Sequence, residues 1–300
     1  MKWTWLGTIV FFFACGFVMH GVGLLLHEVG GHAVAMTIVG CGVEGFDLTY
    51  FGGGSVRPIP CPPPWLLRNL AIIGYAGLAV TISVGAVAMA FQRRAGITPL
   101  TRLLLALLAT HFLLGQLGYA TSGGYYGVSD PGPAAAWLEI HGLHLFAWLP
   151  PLVLYAAAAL YGARAIVDAS REHFGARTRL HGLKQIATTL GAAELLYLVA
   201  YRIESAIRGD TLPSVEVAAE QRTAELMAHP SEWVAVHQFP IRRVLPVIAV
   251  AAFVAALARP VRRREGAEDG APGMIAQRYV VGVAAAALVC AITITVLVRV

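Results

Sequence analysis

A chain of 300 residues that is 57% hydrophobic and only 13% charged, with a mean hydropathy of +0.67, is too apolar for a soluble globular domain. Its net charge of +5 sits between apolar runs and forms no separate basic patch. That excludes nucleic acid as a partner and assigns the charge to anionic lipid headgroups.

Seven runs reach the roughly 20 residues that a bilayer-crossing helix needs: 4–38, 66–91, 99–120, 134–163, 183–206, 241–259 and 279–298. The expected fold is an all-α polytopic membrane protein of about seven transmembrane helices, with a small β-hairpin after the first. The first run is too long for a signal peptide and has no small-residue cleavage site. With the N-terminus in the cytoplasm, fourteen Lys and Arg residues fall inside and eight outside, so the positive-inside rule predicts N-in, C-out. The excess of Arg over Lys suits a GC-rich bacterial genome and hence a bacterial cytoplasmic membrane.

The first run contains His27-Glu28-Val29-Gly30-Gly31-His32. Titratable groups at membrane depth are costly unless paired, hydrated or metal-bound, and two imidazoles with a carboxylate are the ligand and base set of a zinc hydrolase. Five residues rotate by about 140° on a regular α-helix, which would point the imidazoles apart. Gly30 and Gly31 lack the Cβ that resists widening, so a π-type turn is expected there.

Downstream, Gly40 to Phe51 alternates polar with apolar residues and Gly52 to Gly54 turns the chain. This predicts a hairpin at about 42–57, ended by Pro58, Pro60, Pro62, Pro63 and Pro64. Two readings are open: a solvent loop, or an edge on which an extended peptide pairs. Cys41 and Cys61 bracket the hairpin, suited to a disulfide in an oxidising compartment, whereas Cys15 and Cys290 read as packing residues.

A catalytic zinc keeps three protein ligands. The best third candidate is Asp130, in Gly127-Val128-Ser129-Asp130-Pro131-Gly132-Pro133 after the polar run Thr121 to Tyr126. Asp before proline also caps helices, and both roles are compatible. His20 is a partner or alternative ligand, or makes an interhelical hydrogen bond; His111 is equally open. His141 and His144 read as packing residues in the fourth helix. Glu194, deep in the fifth helix, needs a partner or cavity, while Arg202 and Glu204 read as interfacial. The stretch Val215 to Met227 has an amphipathic pattern, and Arg262 to Gly273 reads as a flexible loop.

These residues carry a resemblance. The expanded zinc motif is similar to the H-E-x-x-G-H of dipeptidyl-peptidase III. His27-Glu28…His32-Ala33, the Gly40-to-Gly54 hairpin and Ser129-Asp130 ahead of an apolar helix together resemble the site-2-protease family of intramembrane zinc metallopeptidases, over about residues 15–165. The resemblance implies a metallopeptidase-like core at 1–165 with additional helices at 166–300. It implies one Zn2+ per chain on His27, His32 and Asp130, Glu28 as catalytic base, and membrane-spanning protein substrates. Rival readings are a b-type haem or electron-transfer protein using intramembrane histidines, a seven-helix zinc lipid hydrolase, whose last-helix histidines are missing here, and an inactive membrane scaffold of the same fold.

Overall fold

The computed structural model describes residues 5–59, 67–127, 129–176, 178–208, 240–258 and 277–299. Helix α1 (Trp5–Leu25) runs directly into a π-helical segment (Leu26–Ala33) and then α2 (Val34–Ile38). Strands β1 (Gly42–Leu48) and β2 (Gly54–Ile59) follow. The remaining helices are α3 (Leu67–Phe91), α4 (Pro99–Tyr126), α5 (Gly132–Ile140), α6 (Leu145–His173), α7 (Arg179–Arg208), α8 (Ile241–Ala258) and α9 (Gln277–Arg299). Among the described residues, seven helical spans are long and apolar enough to cross a membrane. This is an integral membrane protein with a small antiparallel hairpin after its first span.

The fourth span differs from the sequence expectation. Instead of one helix over 134–163, the chain forms the short α5 and then the spanning α6. Gly142 adopts a left-handed φ of 68° just beyond α5, a conformation that ends helices and that glycine adopts without a Cβ penalty. His141 and His144 therefore sit in the connection rather than on a helix face. The preceding span is longer than expected, because α4 continues through Thr121–Tyr126 to a left-handed Gly127. Thr98 caps its start, the side chain accepting from the Thr101 amide, and Pro99 occupies the first turn.

Helix α4 packs against α6 and α3, α1 lies between α7 and α9, α8 packs on α6, and α5 on α3. Small residues allow this closeness, as membrane helix packing requires: a Cβ on Gly162 would clash with Thr110 across the α4–α6 seam, and one on Gly124 with the Ala147 carbonyl. The largest buried cluster joins Ile9, Phe11, Phe12 and Cys15 of α1 to Leu100 and Leu103 of α4, Ala169 of α6, and Ile186 and Ala193 of α7. An Arg102–Glu172 ion pair also ties α4 to α6.

In the hairpin, Gly42 pairs with Ile59 and Leu48 with Gly54, with an irregularity between Val43 and Gly45. Pro58 lies within β2 opposite Val43, and the pairing runs to Ile59, two residues past the expected end near 57. The bulge disrupts the ladder there, so the missing proline N–H is tolerated. Cys41 is disulfide-bonded, while Cys15 and Cys290 are free and buried. Cys61, Pro60, the prolines at 62–64, the stretch 215–227 and the loop 262–273 lie outside the described residues. Thiol labelling of the native protein without reductant should therefore leave Cys15, Cys41 and Cys290 unmodified. Reductant should expose Cys41 alone of the three; labelling of Cys41 before reduction would contradict the hairpin's covalent tie.

Candidate metal centre

The π-helical segment resolves the spacing problem of the motif. Its hydrogen bonds run i→i+5, so residues five apart stack on one face. His27 and His32 accordingly come together, ring centroids 4.6 Å apart and planes at 80°. Both are buried, at 8% and 6% exposure, and Glu28 between them in sequence is 5% exposed.

Asp130 reaches this pair from 103 residues away in sequence, its Oδ2 lying 3.1 Å from His27 Nε2 and 3.3 Å from His32 Nε2. One donor atom from each of the three lies within 4.8 Å of the others. A tetrahedral ion with bonds of about 2.0 Å separates its ligands by about 3.3 Å, so the two Asp130 edges already have the required length. Asp130 does not cap α5: that helix has Pro131 at its N-cap position and no side-chain cap bond. Ser129 holds a left-handed φ of 57°, rare outside glycine, which turns the chain so that the next residue faces the histidines. Burial would raise the Asp130 carboxyl, but hydrogen bonds and charge from His27 and His32 outweigh it and hold the group well below the usual carboxylate range. That favours the ionised carboxylate, the form that a metal ion would need.

His32 supplies the test of whether a cation fits. Its Nδ1 donates to the Ile73 carbonyl at 2.7 Å. In the neutral ring that leaves Nε2 as a lone pair facing another acceptor, Asp130 Oδ2, at 3.3 Å. A proton on Nε2 or a metal ion between the two atoms satisfies this contact, so the pair is built to hold positive charge. An imidazole anchored through its other nitrogen to a backbone carbonyl is the usual support of a metal-ligating histidine.

The sequence reading missed the residues of α3 that make room for this cluster. A Cβ on Gly77 would lie 2.7 Å from His27 Nε2 and 2.8 Å from His32 Nε2. One on Gly31 would fall on the Gly77 backbone, and one on Gly74 on the Asp130 carbonyl. The visible signal was the small-x-x-small pair Gly74 and Gly77 in an apolar helix, which marks close approach.

Other candidates stay apart from the centre. His20 donates to the Gly52 carbonyl at 2.6 Å, a bond to the hairpin rather than to another helix, and edges onto Tyr197. His111 stacks obliquely on Phe112. His141 binds the Trp137 carbonyl, and His144 lies 4.0 Å from Glu139. Glu194 is on an exposed face of α7. Comparison of the chain with protein-family models, curated proteins and solved structures finds no match.

Two substitutions test the centre. Asp130→Ala should lower bound zinc per chain at least tenfold when the purified protein is assayed for metal, since one of three ligands is lost. Gly77→Val should do the same without removing any ligand, because the side chain would occupy the space between the imidazoles. Wild-type metal content in Gly77→Val would mean that the histidines do not converge as described.

Proposed function

We propose that this chain is a zinc-dependent intramembrane peptidase of the site-2-protease type, cleaving membrane-spanning or membrane-associated proteins. The observation that carries this reading is the convergence of His27, His32 and Asp130 beside Glu28 in a membrane-spanning segment. Ionisable groups clustered at membrane depth are costly and mark a functional site by default.

Zinc held by His27, His32 and Asp130 would make a water nucleophilic near neutral pH and polarise a scissile carbonyl. Glu28, next to His27 in the chain and buried with it, is the carboxylate that would accept the proton of the attacking water. As the C–N bond breaks, the water oxygen stays on the carbonyl carbon, and Glu28 hands the proton to the departing amine. Burial of Glu28 keeps bulk solvent from competing for that proton.

A substrate helix must unwind before its carbonyls can be attacked, and within a membrane its freed backbone groups need new partners. The hairpin supplies them in this reading, because β2 packs beside the π-helical segment while β1 packs against α9. An extended segment pairing along β2 would run past the metal centre. The disulfide at Cys41 fits an oxidising compartment, and so an extracytoplasmic hairpin with the N-terminus inside a bacterial cytoplasmic membrane. The 4.6 Å separation of the His27 and His32 imidazoles leaves no room for a porphyrin between that pair.

Glu28→Gln is the decisive variant, since the amide keeps the size of the carboxylate but cannot take the proton. Cleavage of a membrane-spanning reporter in reconstituted vesicles should fall about 10² to 10⁴-fold, with zinc content unchanged on the same preparation. Wild-type cleavage by Glu28→Gln would remove Glu28 from the mechanism. Failure of the unmodified protein to cleave any single-pass substrate would favour the scaffold.

A further inference from the structure

The hairpin turn is held by a polar cluster that the metal chemistry does not use. Glu204 of α7, its side chain 11% exposed, accepts hydrogen bonds from the Tyr50 and Phe51 amides, each at 2.8 Å. Arg208, one helical turn on, pairs with Glu204 at 3.0 Å and donates to the Leu48 carbonyl at 3.1 Å. The Tyr197 hydroxyl donates to the Phe51 carbonyl at 3.0 Å. From α1, His20 donates to the Gly52 carbonyl at 2.6 Å. Tyr197, Glu204 and Arg208 stand at i, i+7 and i+11, one face of α7.

A turn in water would need none of these bonds, because solvent satisfies its backbone. The turn's internal bonds, Thr49 amide to Gly53 carbonyl and Gly52 amide to Thr49 hydroxyl, leave the Tyr50 and Phe51 amides and three carbonyls to be taken by helix side chains. A carboxylate chelating two amides is among the stronger hydrogen-bonding arrangements, and Arg208 offsets the charge that Glu204 brings into an apolar bundle. The Phe51 ring is seated among Phe13, Phe17 and Tyr197.

The other end of the hairpin packs at the metal centre. Val43 and Val56 lie against Ala35 and Met36, just beyond the π-helical segment, and Ile73, whose carbonyl anchors His32. The hairpin is therefore fixed at its base by the elements that carry the ligands and at its tip by α7.

We propose that Glu204, with Arg208, Tyr197 and His20, is a positioning set that fixes the hairpin so that β2 stands at the distance from the His27–His32–Asp130 cluster that an extended substrate requires. This gives α7, which lies outside the region resembling site-2 proteases, a role in substrate engagement, and it rests on the peptidase reading. Glu204 is not a catalytic residue, since it touches neither the ligands nor Glu28.

The test uses the full chain in vesicles, comparing wild type with Glu204→Ala and Glu204→Gln. Amide hydrogen exchange of the 42–59 segment should quicken at least tenfold in Glu204→Ala, while exchange in α3 and zinc content stay at wild-type levels. With the membrane-spanning reporter, KM should rise about tenfold and kcat change less than about twofold, and Glu204→Gln, which keeps one acceptor oxygen, should restore part of the loss. Unaltered hairpin exchange overturns the clamp whether or not the protein cleaves anything. Quickened exchange with KM unchanged overturns the positioning role, and loss of zinc in Glu204→Ala would recast Glu204 as a residue of the general fold. If wild type cleaves no reporter, the peptidase reading fails and the positioning role fails with it, while the exchange measurement still decides the clamp.

Discussion

Everything at the centre of this molecule depends on one helical irregularity. Histidines five residues apart cannot share a point on an α-helix, and eight residues of i→i+5 hydrogen bonding bring them within 4.6 Å. The widened turn is bulky, and α3 accommodates it by offering backbone where a side chain would stand. Gly31 meets Gly77, Gly77 faces both imidazoles, and Gly74 lies beneath the Asp130 backbone. A single departure from helical geometry thus constrains three glycines on two elements and the loop that delivers Asp130.

The apolar surroundings explain why most of these polar groups are engaged, His27 Nδ1 being buried without a partner. Water cannot repair an unmade bond at membrane depth, and irregular backbone survives there only when buried in protein or lining a cavity. The hairpin meets this requirement by lending its turn to Glu204, Arg208, Tyr197 and His20. The His27–His32–Asp130 group meets it differently. His32 spends its one neutral-state N–H on Ile73, and its Nε2 faces the Asp130 carboxylate, a contact that a proton on Nε2 or a bound metal ion satisfies.

Much of this was legible in the residues. Hydropathy locates seven spans because lipid imposes length and composition on each helix. The glycine pair inside the histidine motif announces the wide turn, since no other reading places His27 and His32 usefully. Asp130 was legible as the third member of the group; that it leaves the start of α5 uncapped was not, because Ser129's left-handed backbone has no signature in the sequence. The break between α5 and α6 was hidden by uniform apolarity on both sides of Gly142. Glu204 read as an interfacial residue because its partners are backbone amides of the hairpin turn, more than 150 residues away, and backbone amides have no sequence signature.

The central claim is that the widened turn builds a site for zinc from two imidazoles and a distant carboxylate. X-ray absorption spectroscopy of the purified, zinc-loaded protein tests it most directly, because it reads ligand type and number at the metal. The account predicts a first shell of nitrogen and oxygen at about 2.0–2.1 Å with outer-shell scattering from two imidazoles and no sulfur. A shell holding one imidazole or none, or a sulfur contribution near 2.3 Å, would contradict it.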